Sequence, residues 1–158
     1  MELSACIVVY NGCDEALKAA QTVLQYTRRH PLTLYLVDNA SPDGSGARLE
    51  AAVKGGALST QPGQKVEVRC RKENGGFGTG HNTVLPELTS DYPFILNPDI
   101  QLPADTLSAL ADWMAAHPDA VMARPGLCFP DGRPQTLPHT RSALRPLVYR
   151  PLPSLNFW

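Results

Sequence analysis

Short, continuous apolar runs alternate along this chain with longer segments in which the apolar residues recur with a helical period. Residues 5–10 read Ala-Cys-Ile-Val-Val-Tyr, and residues 32–37 read Leu-Thr-Leu-Tyr-Leu-Val. Such runs are typical of parallel strands that are buried on both faces. Similar short runs occupy residues 66–70 and 92–96. The pattern therefore predicts four strands, and a fifth, short strand over residues 120–123.

Helical segments separate these runs. Asp14 and Glu15 begin the first helix, because acidic residues are favourable at the positive end of the helix dipole. A second helix is predicted over residues 45–54, and a short one runs towards Leu88. The strongest helical period begins at Pro103, and residues spaced by three and four form its apolar face: Leu107, Leu110 and Met114.

Repeated strand–helix–strand units predict an α/β fold with a mainly parallel sheet flanked by helices. We divide the chain into a core over residues 1–124 and a proline-rich tail over residues 125–158. Ligands of such sheets bind beyond the carboxyl ends of the strands. The polar residues that follow three of the strands should therefore converge on one crevice: Tyr10 and Asn11, Asp38 and Asn39, and Asn97 with Asp99.

Composition narrows the class of protein. The chain has 158 residues, enough for one domain with a core, and its 43% hydrophobic and 18% charged residues are typical of globular proteins. A formal net charge of −1 gives no basic footprint for nucleic acid. No run of apolar residues is long enough for a transmembrane helix, and the amino terminus lacks the pattern of a signal peptide.

The four cysteines form no Cys-x-x-Cys pair, so the sequence predicts no zinc site. Cys6 and Cys70 lie in apolar, strand-like runs, and we expect both to be buried free thiols. Free thiols are typical of a reducing compartment, which predicts a cytoplasmic protein.

Four segments stand in order: Val-Val-Tyr-Asn ending at residue 11, Leu-Val-Asp-Asn-Ala-Ser ending at residue 41, Glu-Asn-Gly-Gly-Phe-Gly-Thr-Gly-His-Asn ending at residue 82, and Ile-Leu-Asn-Pro-Asp ending at residue 99. Together they resemble the family 2 glycosyltransferases of GT-A fold, and are most similar to the rhamnosyltransferase-like members that build bacterial surface polysaccharides. The resemblance implies an inverting transfer of a sugar such as rhamnose. The implied donor is a nucleotide-diphosphate sugar of UDP or dTDP type, and the implied acceptor is a glycan or a lipid-linked molecule.

The resemblance implies that the tripeptide Asn97-Pro98-Asp99 replaces the Asp-x-Asp metal motif of the wider family. Asp99 would then be a ligand of Mg²⁺ or Mn²⁺, and Asn97 would lie at the donor. Such an ion neutralises the charge that grows on a leaving diphosphate. With one carboxylate, the protein alone should bind the metal weakly. The tripeptide by itself is more typical of a turn or a helix cap, and the other three segments favour the metal role.

Two further segments imply contacts with the donor nucleoside. Asp38 matches the family aspartate that holds the base or ribose, since a carboxylate accepts hydrogen bonds from ring N–H or hydroxyl groups. The alternative role for Asp38 is a simple turn at the end of a strand. Asn39 belongs to the same segment and would also lie at the donor. Tyr10 and Asn11 match the first nucleotide loop. Tyr10 would stack on the base or, alternatively, lie partly buried in the core, and Asn11 would shape the loop.

The glycine-rich segment follows the third predicted strand and reads Gly-Phe-Gly-Thr-Gly, unlike the Gly-x-Gly-x-x-Gly that follows the first strand of a dinucleotide site. Gly76 and Gly78 would let the backbone pass close to the donor or the sheet. His81 and Asn82 match the polar pair of the family on the following helix. His81 would approach the diphosphate or, alternatively, face solvent.

Other basic residues have plainer interpretations. A small cluster at the exit of the third strand is interpreted as a solvated edge, with contact to donor phosphate as the alternative: Arg69, Arg71 and Lys72. His30 and His117 each precede a proline at a helix end, and we interpret both as structural.

An inverting transfer also needs a base that takes the proton of the acceptor hydroxyl. The resemblance places this base in an acidic motif well after Asp99, and the later carboxylates match no such motif: Asp105, Asp112, Asp119 and Asp131. We therefore nominate no base. The chain should stop before the acceptor region, and it should bind the donor but transfer sugar poorly or not at all. It should also self-associate through the apolar residues at its end or, alternatively, be ragged and mobile beyond about Arg141. A peripheral position at the inner membrane face fits a lipid-linked acceptor.

Two alternative functions stay open. A non-catalytic nucleotide-sugar-binding fragment would need no base. A sugar nucleotidyltransferase should carry a glycine-rich basic loop after its first strand, which Tyr10-Asn11-Gly12-Cys13 does not supply.

Overall fold

The computed structural model describes residues 1–129 and 131–135. Within these ranges, four strands and four α-helices alternate along the chain: β1 Leu3–Val9, α1 Cys13–Tyr26, β2 Leu32–Asp38, α2 Ser45–Lys54, β3 Gln64–Cys70, α3 Gly76–Asn82, a 3₁₀ turn Leu85–Glu87, β4 Tyr92–Leu96 and α4 Thr106–Ala116. The residues that we expected to leave an apolar end exposed, Leu155, Phe157 and Trp158, lie outside the described residues, as does most of the predicted tail.

The strands form one parallel sheet in the order β3-β2-β1-β4. β1 occupies the centre, with Leu3 paired to Leu32 on one side and to Tyr92 on the other. All seven residues of β1 are buried, as its continuous apolar run predicts. The α/β class with a parallel sheet flanked by helices is therefore confirmed.

The two faces of the sheet differ in size. One face holds the main core, where Leu3, Ile7 and Val9 of β1 pack with buried residues of α1, α2 and α4. On the other face, Cys6 and Val8 belong to a small cluster that continues into the segment after α3. The main core fixes the sheet and its large helices, and the smaller face carries the glycine-rich helix.

The glycine-rich segment is helical from its second glycine. We expected a helix only after this segment, but α3 begins at Gly76, and Gly80 approaches β1 closely. A Cβ atom on Gly80 would lie 2.6 Å from the Val8 Cγ1 atom. The small residue lets the backbone of α3 lie directly on the sheet.

Two predicted boundaries change after β4. Asp105 caps α4 by accepting a hydrogen bond from the Ser108 N–H at 3.4 Å, so that the helix begins at Thr106 rather than at Pro103. The strand predicted over residues 120–123 is wrong. Val121 is 99% exposed and no strand pairs with it in the part of the chain that the structure describes, so its apolar run has no face to cover.

The cysteines divide by position. Cys6 is a buried free thiol, as predicted, and burial raises its pKa to about 12. Cys70 is also free but exposed, which corrects the prediction, because it ends the edge strand β3. No helix among the described residues combines the length and the apolar character needed to cross a membrane.

Candidate functional site

Three strand ends meet at the carboxyl edge of the sheet. Val9 of β1 pairs with Asp38 of β2, and Ile7 pairs with Leu96 of β4. The Asn39 N–H donates to the Val9 carbonyl at 2.8 Å, which extends the contact past the end of β2. The polar residues that follow these strands therefore lie along one edge, as the strand pattern predicts.

Asp38 is the buried carboxylate of this edge, with 4% of its surface exposed. Its Oδ2 atom accepts a hydrogen bond from the Ser41 N–H at 3.2 Å. Its Oδ1 atom is buried and has no partner among the described residues. A turn accounts for one oxygen only, and the other is an acceptor that fits an N–H or O–H group from a ligand.

Asn39 is also buried, with 2% exposed, and joins three segments. The Arg71 guanidinium donates to Asn39 Oδ1. Asn39 Nδ2 donates to Asn74 Oδ1 at 2.7 Å and to the Gly76 carbonyl at 3.2 Å. We call this chain of hydrogen bonds, made by Arg71, Asn39, Asn74 and Gly76, the Arg71 relay.

Arg71 is the site residue that the sequence interpretation placed on a solvated edge. That interpretation fits Lys72, which is exposed. It does not fit Arg69, which pairs with Glu67 and Glu87 and lies 5.8 Å from the Tyr35 ring centroid. The signal in the sequence is the position of Arg71 immediately after β3, beside the end of β2.

Tyr10 and Asn11 form the loop after β1. Tyr10 is 50% exposed, so the alternative of a core tyrosine is wrong and its ring is open to a ligand. Asn11 has φ 54°, and Ala40 in the facing loop has φ 59°. The Asn11 N–H donates to Ser41 Oγ at 3.0 Å. Two strained residues held together in this way are typical of a functional loop pair.

His81 lies inside α3 and is 7% exposed, so the solvent-facing alternative is wrong. Its ring meets the edge of Phe77, with ring centroids 4.4 Å apart. Burial lowers the pKa of His81, and neither ring nitrogen has a partner among the described residues. Burial therefore favours the neutral imidazole over its charged form. Gly76, Gly78 and Asn82 on the same helix are exposed.

Asn97 and Asp99 follow β4 and are both exposed. Their oxygens are hard donors of the kind that Mg²⁺ and Mn²⁺ prefer. No group of three or more His, Cys, Asp or Glu side chains in the described ranges could hold a metal alone. The residues fit an ion that takes its remaining ligands from donor phosphates and water.

The carboxylates of α4 lie at the opposite edge. Asp105 and Asp112 pair with Arg29, and Asp112 also pairs with His30 at 2.7 Å, which keeps the pKa of Asp112 below its usual range. These basic residues precede β2, so they lie about 20 Å from Asp38 at ~3.3 Å per strand residue. Neither carboxylate of α4 can act at the crevice, and His30 is structural as predicted.

A cavity at this amino edge is lined by residues that include Leu3, Ser4, Tyr35 and Ser90. The two serine hydroxyls bond each other at 2.7 Å, and no buried unpartnered polar group lines the cavity. It therefore lacks the open acceptor that Asp38 provides at the carboxyl edge.

Comparison with known proteins gives one family and a shared fold. The profile described as Glycosyl transferase family 2 matches residues 4–156. S. aureus TarS 1–349 in complex with UDP-GlcNAc superposes with a TM-score of 0.59 at 18% identity over 74% of this chain and 32% of that one. The mannosyltransferase PcManGT from Pyrobaculum calidifontis, in complex with GDP-Man and Mn²⁺, gives 0.57 at 21% identity over 79% and 34%.

The chain thus spans about a third of the length of these solved structures. At such identities the likeness shows a common fold. A comparison with curated proteins finds no match.

Proposed function

This chain belongs to glycosyl transferase family 2, and from that premise we propose that its carboxyl-edge crevice binds the nucleoside diphosphate of a sugar donor for an inverting transfer. The observation that carries the proposal is the buried, unpartnered Oδ1 of Asp38, at the end of the strand next to the one that Tyr10, with its exposed ring, follows. An unpartnered acceptor and an exposed aromatic ring at one edge of the sheet match a nucleobase, which offers N–H groups at its edge and a flat face.

In this proposal the base lies on Tyr10 and donates a ring N–H to Asp38. Uracil, thymine and guanine each carry one such ring N–H, whereas adenine and cytosine in nucleosides carry none, and the UDP or dTDP type of donor rests on the resemblance. Asn11 and Asn39 hold the two loops around the base through their contacts with Ser41 and Asn74. The Asn11 N–H binds the Ser41 hydroxyl and the Asn39 amide binds the Asn74 side chain, so both residues shape the subsite and leave the contacts with the base to Tyr10 and Asp38.

The diphosphate would lie between α3 and the end of β4. Gly76 and Gly78 are exposed there, and neither has a side chain that would keep a ligand away from the backbone. His81, whose pKa burial lowers, and Asn82 are the last two residues of the same helix. Asp99, with Asn97, would hold a Mg²⁺ or Mn²⁺ ion that stabilises the leaving diphosphate as a Lewis acid. The Mn²⁺ in the structure of the mannosyltransferase supports this assignment by analogy.

The sugar and the acceptor rest on the resemblance. Rhamnose as the sugar, a glycan or lipid-linked acceptor and a role in bacterial surface polysaccharide follow from the four ordered segments. The division into a core over residues 1–124 and a tail over residues 125–158 is part of the same proposal.

The proposed location is the cytoplasm. All four cysteines are free, as is typical of a reducing compartment: Cys6, Cys13, Cys70 and Cys128. A position at the inner membrane face rests on the lipid-linked acceptor that the resemblance implies.

A second candidate function is binding of the donor without transfer. One observation favours it. The carboxylates of α4 are paired at the opposite edge, and Asp131 pairs with Arg133. Of the four described carboxylates after Asp99, three are therefore held in ion pairs, and only Asp119, exposed on the turn after α4, has no basic partner among the described residues. Nucleotide binding is common to both candidates, and only a transfer assay separates them.

The first test is titration calorimetry with UDP, dTDP and GDP. Asp38→Asn keeps the shape of the side chain but turns one oxygen into a donor. It should weaken UDP or dTDP by about 1.5–3 kcal/mol, the range for a hydrogen bond to a charged group. Asp119→Asn, on the exposed turn after α4, is the matched control. Equal affinity of Asp38→Asn and the unchanged protein for these nucleotides would show that Asp38 has only a structural role in the turn.

A further inference from the structure

The Arg71 relay sets the orientation of one side-chain amide. An asparagine amide has nearly the same shape in its two orientations, and its partners decide between them. A guanidinium can only donate, so Asn39 Oδ1 must face Arg71. That choice turns Nδ2 towards two acceptors, Asn74 Oδ1 and the Gly76 carbonyl.

Arg71 also holds the neighbouring residue through its backbone. The Arg71 N–H donates to the Asp38 carbonyl at 2.9 Å while its side chain binds Asn39. One residue thus contacts both members of the Asp38-Asn39 pair. At the other end of the relay, Asn74 Oδ1 accepts from the Gly76 N–H at 2.9 Å, where Gly76 begins α3 with φ 82°.

We propose that Arg71 is a positioning residue of the donor site, acting through Asn39 on Asp38 and on the turn that begins α3. The inference rests on the proposed function, since it assigns the relay to the crevice that binds the nucleoside diphosphate. Arg71 need not touch the donor: its removal would free the Asn39 amide to rotate and would loosen the Asn74–Gly76 turn.

The surroundings of Arg71 support this assignment. Arg29, Arg48 and Arg69 each pair with a carboxylate, whereas the Arg71 guanidinium, which like Arg28 and Arg124 has no carboxylate partner among the described residues, donates to the buried Asn39. A Cβ on Gly75 would lie 3.0 Å from both terminal nitrogens of Arg71. The guanidinium therefore lies against the Gly75 backbone, and the missing side chain makes room for it.

The experiment compares UDP with uridine by titration calorimetry on the full chain. Arg71→Ala should weaken both ligands by the same factor of about ten, the fold-change for loss of one hydrogen bond to a charged group. Asn39→Ala should give a similar loss, and the double variant should lose little more, because the two residues act as one unit. Lys72→Ala removes a neighbouring charge and should leave both affinities unchanged.

A milder variant, Gly75→Ala, tests the role of Arg71 without deleting its side chain. A measurement of amide exchange tests it without a ligand. Gly75→Ala would crowd the Thr79 Cγ2 atom at 2.8 Å as well as the guanidinium at 3.0 Å, and it should give part of the Arg71→Ala loss. Exchange of the Gly76 amide hydrogen, followed by NMR, should be faster in Arg71→Ala than in the unchanged protein.

Five results would overturn the inference. Additive losses of affinity in the double variant would show that Arg71 and Asn39 act independently. An unchanged exchange rate of the Gly76 amide in Arg71→Ala would show that Arg71 does not act on the turn that begins α3. A loss confined to UDP would make Arg71 a direct phosphate contact. If the unchanged protein bound UDP and Arg71→Ala bound it equally well, the positioning role would fail while the proposed function stood. No binding of UDP, dTDP or GDP by the unchanged protein would overturn both.

Discussion

Gly80 of α3 and Val8 of β1 are in such close contact that no larger residue fits between their backbones without displacement. A Cβ on Gly80 would lie 2.6 Å from Val8 Cγ1 and 2.9 Å from Val8 Cγ2. This contact places the glycine-rich helix against the central strand, and it sets the distance between the helix and the crevice. It is the clearest steric constraint at the site.

Gly80→Ala should therefore destabilise the protein, although alanine is the better helix former. Overpacking of this kind costs roughly 1–3 kcal/mol in the free energy of unfolding. Gly78→Ala is the matched control, because no atom lies within 4 Å of the added Cβ. It should be neutral or stabilise by about 0.5–1 kcal/mol. Urea unfolding followed by circular dichroism measures both, and equal stability of the two variants would contradict the contact.

Metal dependence gives a second prediction. UDP or dTDP should bind more tightly with Mn²⁺ or Mg²⁺ than with EDTA, and Asp99→Ala should remove the difference. We expect a gain of about 2 kcal/mol, since the link joins a carboxylate, a divalent ion and phosphate. Calorimetry with and without EDTA measures it, and Asp119→Ala, on the exposed turn after α4, is the control. The same affinity under both conditions would remove Asp99 from the metal role.

The buried imidazole of His81 predicts a pH effect on stability. Burial lowers its pKa in the folded protein, so the unfolded chain binds more protons below its ordinary pKa of about 6.5. The contribution of His81 is full above that value and is lost as pH falls towards its folded pKa. The slope is at most about 1.4 kcal/mol per pH unit for one group.

His81→Leu should flatten this loss between pH 7 and pH 5.5 in urea unfolding. His117→Gln, a change at an exposed histidine, should keep it. A slope that His81→Leu leaves unchanged would show that another group carries the pH dependence.

Transfer and association form the last prediction. The chain should bind the donor but transfer sugar poorly, because the carboxylates of α4 are paired at the far edge of the sheet. Exposed apolar side chains, among them Ile95, Val121 and Met122, should promote self-association. A sugar-transfer assay and light scattering on the 158-residue chain test both parts. Rapid transfer by a monomer would contradict them.

Much of the fold follows from local pattern. The apolar runs locate all four strands, and α2 has the predicted bounds of residues 45–54. Parallel pairing then brings the strand ends together, so the meeting of Asp38 with the loop after β1 is predictable from topology. The run at residues 120–123 misleads because apolar character alone does not supply a neighbouring strand.

The site needs contacts that sequence spacing does not give. Arg69 and Arg71 look alike in the sequence, but one pairs with Glu87 and the other binds Asn39, 32 residues away. The burial of His81 depends on how closely Gly80 lets α3 approach Val8. Packing across the sheet determines these partners and this burial. The order of residues within one segment does not predict them.

The central position of β1 has a consequence for how the chain acquires its structure. β1 pairs on one side with β4, and the Glu2 N–H near its start donates to Asp91, 89 positions further along the chain, at 2.8 Å. β1 therefore cannot complete its hydrogen bonding until β4, which follows the other described strands in the sequence, has been synthesised. Long-range parallel pairing of this kind folds slowly, since a large loop must close before the contact forms. Until then, β1, whose seven residues are all buried in the folded sheet, has one edge open, and a nascent chain is exposed to aggregation during this interval.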